Sequence, residues 1–493
     1  MNYIVVILVL SFIAYKIYQK TRVPEGLKNI PTLSFLDLLI EIFTKVGPDK
    51  RWENTRDVLE KEGIGKLWFN GQWTITVTDL GLVKDIMTKT DLYPKALLEE
   101  SFPTSLITKY YGTNVVLSNG DVWKRHRRIA NPSFRNLPVH VFVESTTKLL
   151  NVMEKIDNEP IEVKSLMHRA KFDRLALDVL GKAAFGFDFN NLEDPNNVYV
   201  TTYNEVMAEL SKPLYFVFSF LDYLPRFEAL RKIEKLNSLY DEIHMVYACN
   251  DPDNPTLTNE ELRHDLAMFM LAGHDTTANA LTTILYLLAI HKDTQKKVRD
   301  EILRVLGDNL IPSVEQQKEL KYMNMVINEN LRLYPPVAQL PQRFNSQEIK
   351  FRNHNEKHDH YSWLGFGGGN RLCLGINFSL IEQRIILCAL LRKYEVSLPA
   401  DSIHKDKLQI EPEVSGTSGP HPPKARNIPL EESFPGSLIA QYYGTNVVMS
   451  NGDVSILFEC HGKSCEPTIE IKNFMHSLTL DVLGRAAFGL ILT

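Results

Sequence analysis

Apolar and polar residues recur along this chain mostly at helical spacing. The longest such pattern covers residues 260–291, and from Leu266 to Ile290 it is apolar on nearly every face. A helix without a polar stripe belongs in the core of a large domain. Residues 293–305 are amphipathic and charged, which predicts a surface helix next to it. Residues 322–333 predict another, stopped by Pro335-Pro336. In residues 375–394, Ile376, Leu380, Ile381, Ile385, Leu387, Cys388 and Leu391 again repeat with helical period. Strand signals are sparse, the alternating run 72–78 being the best. The expected fold class is mainly α with a minor β region.

Two features break this pattern. Residues 1–15 carry no charge and centre on Ile4-Val5-Val6-Ile7-Leu8-Val9-Leu10. A full span takes ~20 apolar residues, so Lys16 and Lys20 are expected to extend this one by snorkelling, with Tyr15 and Tyr18 at the interface. Neither a basic leading region nor a small-residue cleavage site is present, which favours an anchor over a signal peptide. Lys16, Lys20 and Arg22 follow the run, so the rest of the chain is expected to face the cytosol. The second feature is a repeat. Residues 99–122 and 431–454 are identical at 20 of 24 positions, and residues 175–187 and 478–490 at 10 of 13. The second copy is 29 residues shorter between its two blocks. The Gly/Pro/Ser-rich stretch 415–423 marks the boundary. The expected organisation is an anchor at 1–22, a main domain at 23–425, and a truncated partial repeat of it at 426–493.

Composition changes the picture little. Hydrophobic content of 44% and charged content of 23% are ordinary for a globular chain, and a net charge of −5 gives no bulk argument for nucleic acid. Five cysteines, Cys249, Cys373, Cys388, Cys460 and Cys465, are odd in number and mostly far apart, which reads as reduced thiols rather than a disulfide framework.

One of them carries chemistry. Cys373 ends the loop Phe366-Gly367-Gly368-Gly369-Asn370-Arg371-Leu372-Cys373 and precedes a helix that starts near Gly375. Glycines let backbone approach a flat cofactor closely. A helix N-terminus favours a thiolate over a thiol, and a thiolate is what an axial iron ligand must be. Arg371 can reach an anionic group of such a cofactor. Read alone, a buried structural cysteine beside a turn explains the same residues. Polar residues also interrupt the long apolar helix, at Ala272-Gly273-His274-Asp275-Thr276-Thr277. Asp and Thr are unfavourable there unless satisfied, or the helix breaks, with Gly273 ending one segment and Asp275 capping the next.

The loop ending in Cys373-Leu374-Gly375 resembles the haem-binding loop of cytochromes P450, here of a fungal-like microsomal type. The resemblance implies haem b with Cys373 as its iron ligand, and Phe366, Gly369, Arg371 and Gly375 as the residues shaping and charging the loop. The interruption of the long helix is similar to the family's oxygen-activating segment. It implies room for O2 at Gly273, a hydrogen bond from Thr276 and proton relay by Asp275. Trp123 and Arg127 match the family's pair that meets the haem propionates. Glu329 and Arg332 match its structural ion pair beneath the haem. The implied activity is monooxygenation of a lipophilic small molecule at the endoplasmic reticulum membrane, with electrons from a separate NADPH-cytochrome P450 reductase. Lys124, Arg125 and Arg128 are its expected docking surface.

The sequence also departs from the family. Only 44 residues separate Glu329 from Cys373, and the strands expected there look absent. Arg343 fits either of two family positions, the meander arginine or a propionate arginine. The segment before residue 260 also looks short. The second copy lacks counterparts of Trp123–Arg127 and stops before any Cys motif. The chain as written is therefore expected to incorporate haem poorly. The rival reading is a non-catalytic remnant, a fusion or gene-model product that does not load haem; a third is a peroxide-using or isomerase haem-thiolate enzyme, against which Asp275-Thr276 argues.

Overall fold

Helix α1 (Pro48–Glu62) leads into a hairpin of strands β1 (Ile64–Phe69) and β2 (Gln72–Val77), paired antiparallel from Ile64↔Val77 to Phe69↔Gln72. The computed structural model describes residues 22–34, 48–69, 72–157 except 102 and 136, 171–210 except 195, 226–243 except 242, 257–337, 343–344, 363–398, 456–460 and 469–471, with residues 11, 15, 18 and 212 singly. After the hairpin come α2 (Leu80–Thr88), α3 (Leu98–Ser101), α4 (Leu106–Tyr111), α5 (Gly120–Arg135), α6 (Val139–Asp157) and α7 (Lys171–Leu180), which runs on as the π-helical turn Gly181–Phe185. Then follow α8 (Val198–Leu210), α9 (Phe227–Tyr240), α10 (Asn259–Ile290), α11 (Lys292–Leu306), α12 (Val314–Glu319), α13 (Lys321–Leu333), α14 (Ile376–Lys393), β3 (Tyr394–Ser397), β4 (Ile456–Cys460) and β5 (Ile469–Ile471). The fold is mostly helical with little sheet, as the periodicity predicts.

Local chemistry starts the helices where they start. Asp79 caps α2 by accepting the Leu82 N–H at 2.8 Å, a contribution of ~1 kcal/mol. Thr258 and Glu261 close a reciprocal capping box on α10. That helix spans 32 residues, about 48 Å at helical rise. Leu266, Met268, Leu281, Ile284 and Leu285 are all buried on it, and it packs against α7, α13, α14 and α4. It runs unbroken through Gly273–Thr277, so the alternative of a break with Asp275 as a cap is not what forms. Gly273 instead lets α7 come close: a Cβ there would stand 2.7 Å from both methyls of Leu180.

The second sheet joins distant parts of the chain. β3, at the end of α14, pairs antiparallel with β4 from Tyr394↔Cys460 to Ser397↔Leu457, and β4 pairs with β5. Both strands fall between the two repeated blocks of the second copy. Among the described residues no helix is long and apolar enough to cross a membrane. The expected anchor at 1–22, the boundary stretch 415–423 and both blocks of the second copy lie outside the described residues, apart from a few positions in the first.

Candidate functional site

A cavity of about 1530 Å³, mouth included, opens between α10, α5 and the loop that precedes α14. Its lining is largely apolar and includes Phe134, Leu180, Phe269, Ala272 and Phe366.

The cysteine loop forms one wall. Gly367 N–H donates to Leu364 O at 2.9 Å, Leu372 N–H to Gly369 O at 3.1 Å, and Cys373 N–H to Phe366 O at 3.0 Å. Gly367 and Gly369 take φ of 71° and 61°, which side-chain-bearing residues rarely adopt. A Cβ on Gly369 would also lie 2.3 Å from Met87 O at the end of α2. Gly375 then caps α14 and its N–H donates to the Cys373 sulfur. Cys373 is exposed to the cavity that it lines, whereas Cys388, on the same helix side of the loop, is fully buried in the core. Burial pushes the Cys373 thiol up, and the Gly375 N–H and Arg127 offset this only in part.

Cations gather around this same loop. Arg371 lies over the Trp123 ring, 4.0 Å from its centroid, and donates to Ser118 O at 2.7 Å. Arg127 reaches Leu372 O at 3.0 Å, one residue before the cysteine. Lys95 is buried with its ammonium on Val116 O. Arg343 is also buried and donates to Tyr93 O at 2.8 Å, its backbone bridged to Lys95. Burial, then the charges of Arg371, Arg343 and Arg127, hold Lys95 well below the usual lysine range. Burial lowers Arg371 to about 9 and Arg343 to about 10, with Arg343 and Arg127 adding to the effect on Arg371. Among the described residues no carboxylate pairs with any of these four. Arg343 Nε and Arg371 Nε and Nη1 are buried with no partner. A cavity that collects unpaired cations beside an open thiol fits a bound group with two carboxylates and a metal that takes sulfur.

Sequence reasoning missed Lys95, although a lone lysine between Tyr93-Pro94 and Ala96-Leu97-Leu98 is a visible anomaly. It left Arg343 between two positions, and the residue stands in the cation group. Glu329 and Arg332 do form a fork, at 2.7 and 2.8 Å, but both are half exposed and close on each other. Among the described residues this ion pair has no third member.

On α10, Thr276 lines the cavity and its hydroxyl donates to Ala272 O at 2.8 Å. Thr277 donates to Ser379 Oγ of α14 at 3.0 Å, and Gln383 Nε2 donates to the same oxygen at 3.0 Å. Asp275 lies on the same turn, and its side chain is outside the described residues. Of the expected docking residues, Lys124 and Arg128 are exposed, whereas Arg125 turns inward to pair with Glu261.

A model of the cytochrome P450 family matches residues 31–246, 227–355 and 340–421. The chain is 26% identical over 457 residues to Protein LUTEIN DEFICIENT 5, chloroplastic, of Arabidopsis thaliana, covering 76% of this chain and 72% of that protein. It is 24% identical to Cytochrome P450-DIT2 of Saccharomyces cerevisiae, covering 80% and 92%. To Cytochrome P450 3A31 of Mesocricetus auratus it is 26% identical, covering 80% and 91%.

Proposed function

The chain belongs to the cytochrome P450 family of haem-iron monooxygenases, and from that premise we propose that it uses haem b to place one oxygen atom of O2 into a lipophilic small molecule. What carries this reading is one juxtaposition: Cys373 opens into the same cavity as the cations of Arg371, Arg127 and Lys95, with Arg343 bridged to Lys95 behind them. Haem bound there supplies the iron at which O2 is reduced and transferred.

The chain's own residues divide the remaining work. Cys373 Sγ would ligate the metal, steadied by the Gly375 N–H. Trp123, Arg127 and Arg371, with Lys95 and Arg343, would hold the propionates. Phe366, Gly369 and Gly375 shape the loop so that backbone can approach the macrocycle. Thr276 Oγ stands on the cavity wall and would hold a proton-carrying water there, with Asp275 relaying protons along the same turn. The apolar lining excludes bulk water and suits a lipophilic substrate. Electrons would come from an NADPH-cytochrome P450 reductase docking at Lys124 and Arg128, with residues 1–22 anchoring the chain to the endoplasmic reticulum and residues 426–493 a partial repeat appended to the enzyme.

The test is the reduced carbon-monoxide difference spectrum with haem stoichiometry, for the wild type, Cys373→Ala and Cys388→Ala. A red-shifted thiolate band kept by Cys388→Ala and lost in Cys373→Ala supports the reading. A band that survives Cys373→Ala sinks the ligand assignment. Full-length protein that copurifies without haem would favour the remnant reading instead.

A further inference from the structure

We propose that His126 and Asp265 are positioning residues that pin the cation cradle to the long helix. Each face of α5 meets different surroundings. Trp123 and Arg127, four residues apart, look into the cavity. Lys124 and Arg128 look outward, and Arg125 and His126 look toward α10. His126 is fully buried, with Nδ1 2.7 Å from Asp265 Oδ2. The other oxygen of Asp265 accepts the Val115 N–H at 2.7 Å. One buried carboxylate on α10 therefore grips two separate elements, helix α5 and the loop that begins at Val115.

That loop carries the acceptors of the cradle. Val116 O takes the Lys95 ammonium, and Ser118 O takes Arg371. Asn119 exchanges two bonds with the Lys95 backbone, at 2.9 and 2.8 Å. Loosening Asp265 thus frees both Trp123–Arg127 and the acceptors of Lys95 and Arg371 together. Apolar side chains at these two positions would hold the elements in contact, yet they could slide. A hydrogen-bonded pair fixes one register, which is the best-attested use of buried polar pairs. Neighbouring Arg125–Glu261 adds a second link between the same helices at the capping box.

The inference rests on the haem reading, and the experiment separates the two. In full-length haem-loaded protein, haem transfer to an acceptor apoprotein is timed for His126→Leu, Asp265→Leu, the double variant, His126→Asn and Tyr240→Phe. Tyr240→Phe removes an equally buried bond, Tyr110–Tyr240 at 2.8 Å, away from the cavity. Amide exchange of residues 115–119 is followed in parallel. Both leucine variants should lose haem about tenfold faster, equivalent to ~1.4 kcal/mol, with faster exchange at 115–119. The double variant should be no worse than the poorer single, because the pair acts as a unit. His126→Asn, whose amide can donate to Asp265 from the position of Nδ1, should restore most of the retention. Tyr240→Phe should lower Tm without touching either readout. Unchanged haem loss and unchanged exchange in the leucine variants would overturn the proposal, as would equal changes in Tyr240→Phe. If the leucine variants do not fold, His126→Ala is judged by the same two readouts. If the wild type holds no haem, the haem reading falls while exchange at 115–119 still decides this one.

Discussion

At the scale of single residues, the charges that matter most are those without partners. Glu382 on α14 is 1% exposed, both its oxygens lack a partner, and burial raises it to about 8. Its folded pKa lies above its unfolded one, so the folded state binds the extra proton. The neutral acid is tolerated at low pH, and stability should fall as pH rises from about 4.5 toward 8. Glu382→Gln keeps the shape and removes the titration. It should flatten that slope and raise Tm at pH 8 more than at pH 5, on the scale of a few kcal/mol. An identical Tm–pH profile in the two proteins would show that Glu382 is already ionised. The cradle cations behave in the opposite sense. Lys95→Met removes a buried charge and should stabilise the haem-free protein while weakening haem retention; lower stability in both forms would mean that Lys95 acts only through Val116. The sequence made Cys373, Arg371, Trp123 and Arg127 visible because each sits in a motif with fixed spacing. Lys95 and Arg343 meet only through a backbone bridge between segments 248 residues apart, and no local spacing encodes that. Asp265 and His126 were invisible for the same reason.

Elements were more legible than sites. Helices α10, α11, α13 and α14 begin and end within about two residues of the periodic segments, because each is a long run with a cap or proline at its border. The hairpin was half foreseen: β2 has the alternating pattern, but β1, Ile-Gly-Lys-Leu-Trp-Phe, lacks it. Lys66 explains why. It lies buried within the strand because its ammonium reaches the carbonyls of Leu27 and Ile30 at 2.8 and 2.7 Å. The loop before α14 depends on its glycines in a way that can be checked. Gly369→Ala combines a positive φ with a 2.3 Å approach to backbone, which cannot swing aside as a side chain could. It should lower haem occupancy and Tm together, by ~1–3 kcal/mol. Gly120→Ala, with a φ of 53° but nothing within 4 Å, should show the strain alone. Equal effects of the two would remove the contact with Met87 from the account.

For the whole molecule, the cradle and the open cysteine argue for haem loading, against the expectation of poor loading drawn from the shortened stretch after Pro336. Haem per chain in full-length protein decides between them, and a chain ending at residue 425 isolates the partial repeat. If the repeat hinders folding, the shorter chain should load more haem per mole. If β4 and β5 are needed to complete the sheet at β3, it should load less and aggregate more. The β3–β4 pairing also sets a timetable. Cys460 is made 66 residues after its partner Tyr394. At a ribosomal pace of ~5–20 residues per second, that is a wait of roughly 3–13 s. Through that interval α14 and the cysteine loop are already synthesised, while the edge of β3 that β4 will cover stays bare, a window in which a nascent-chain chaperone has something to hold.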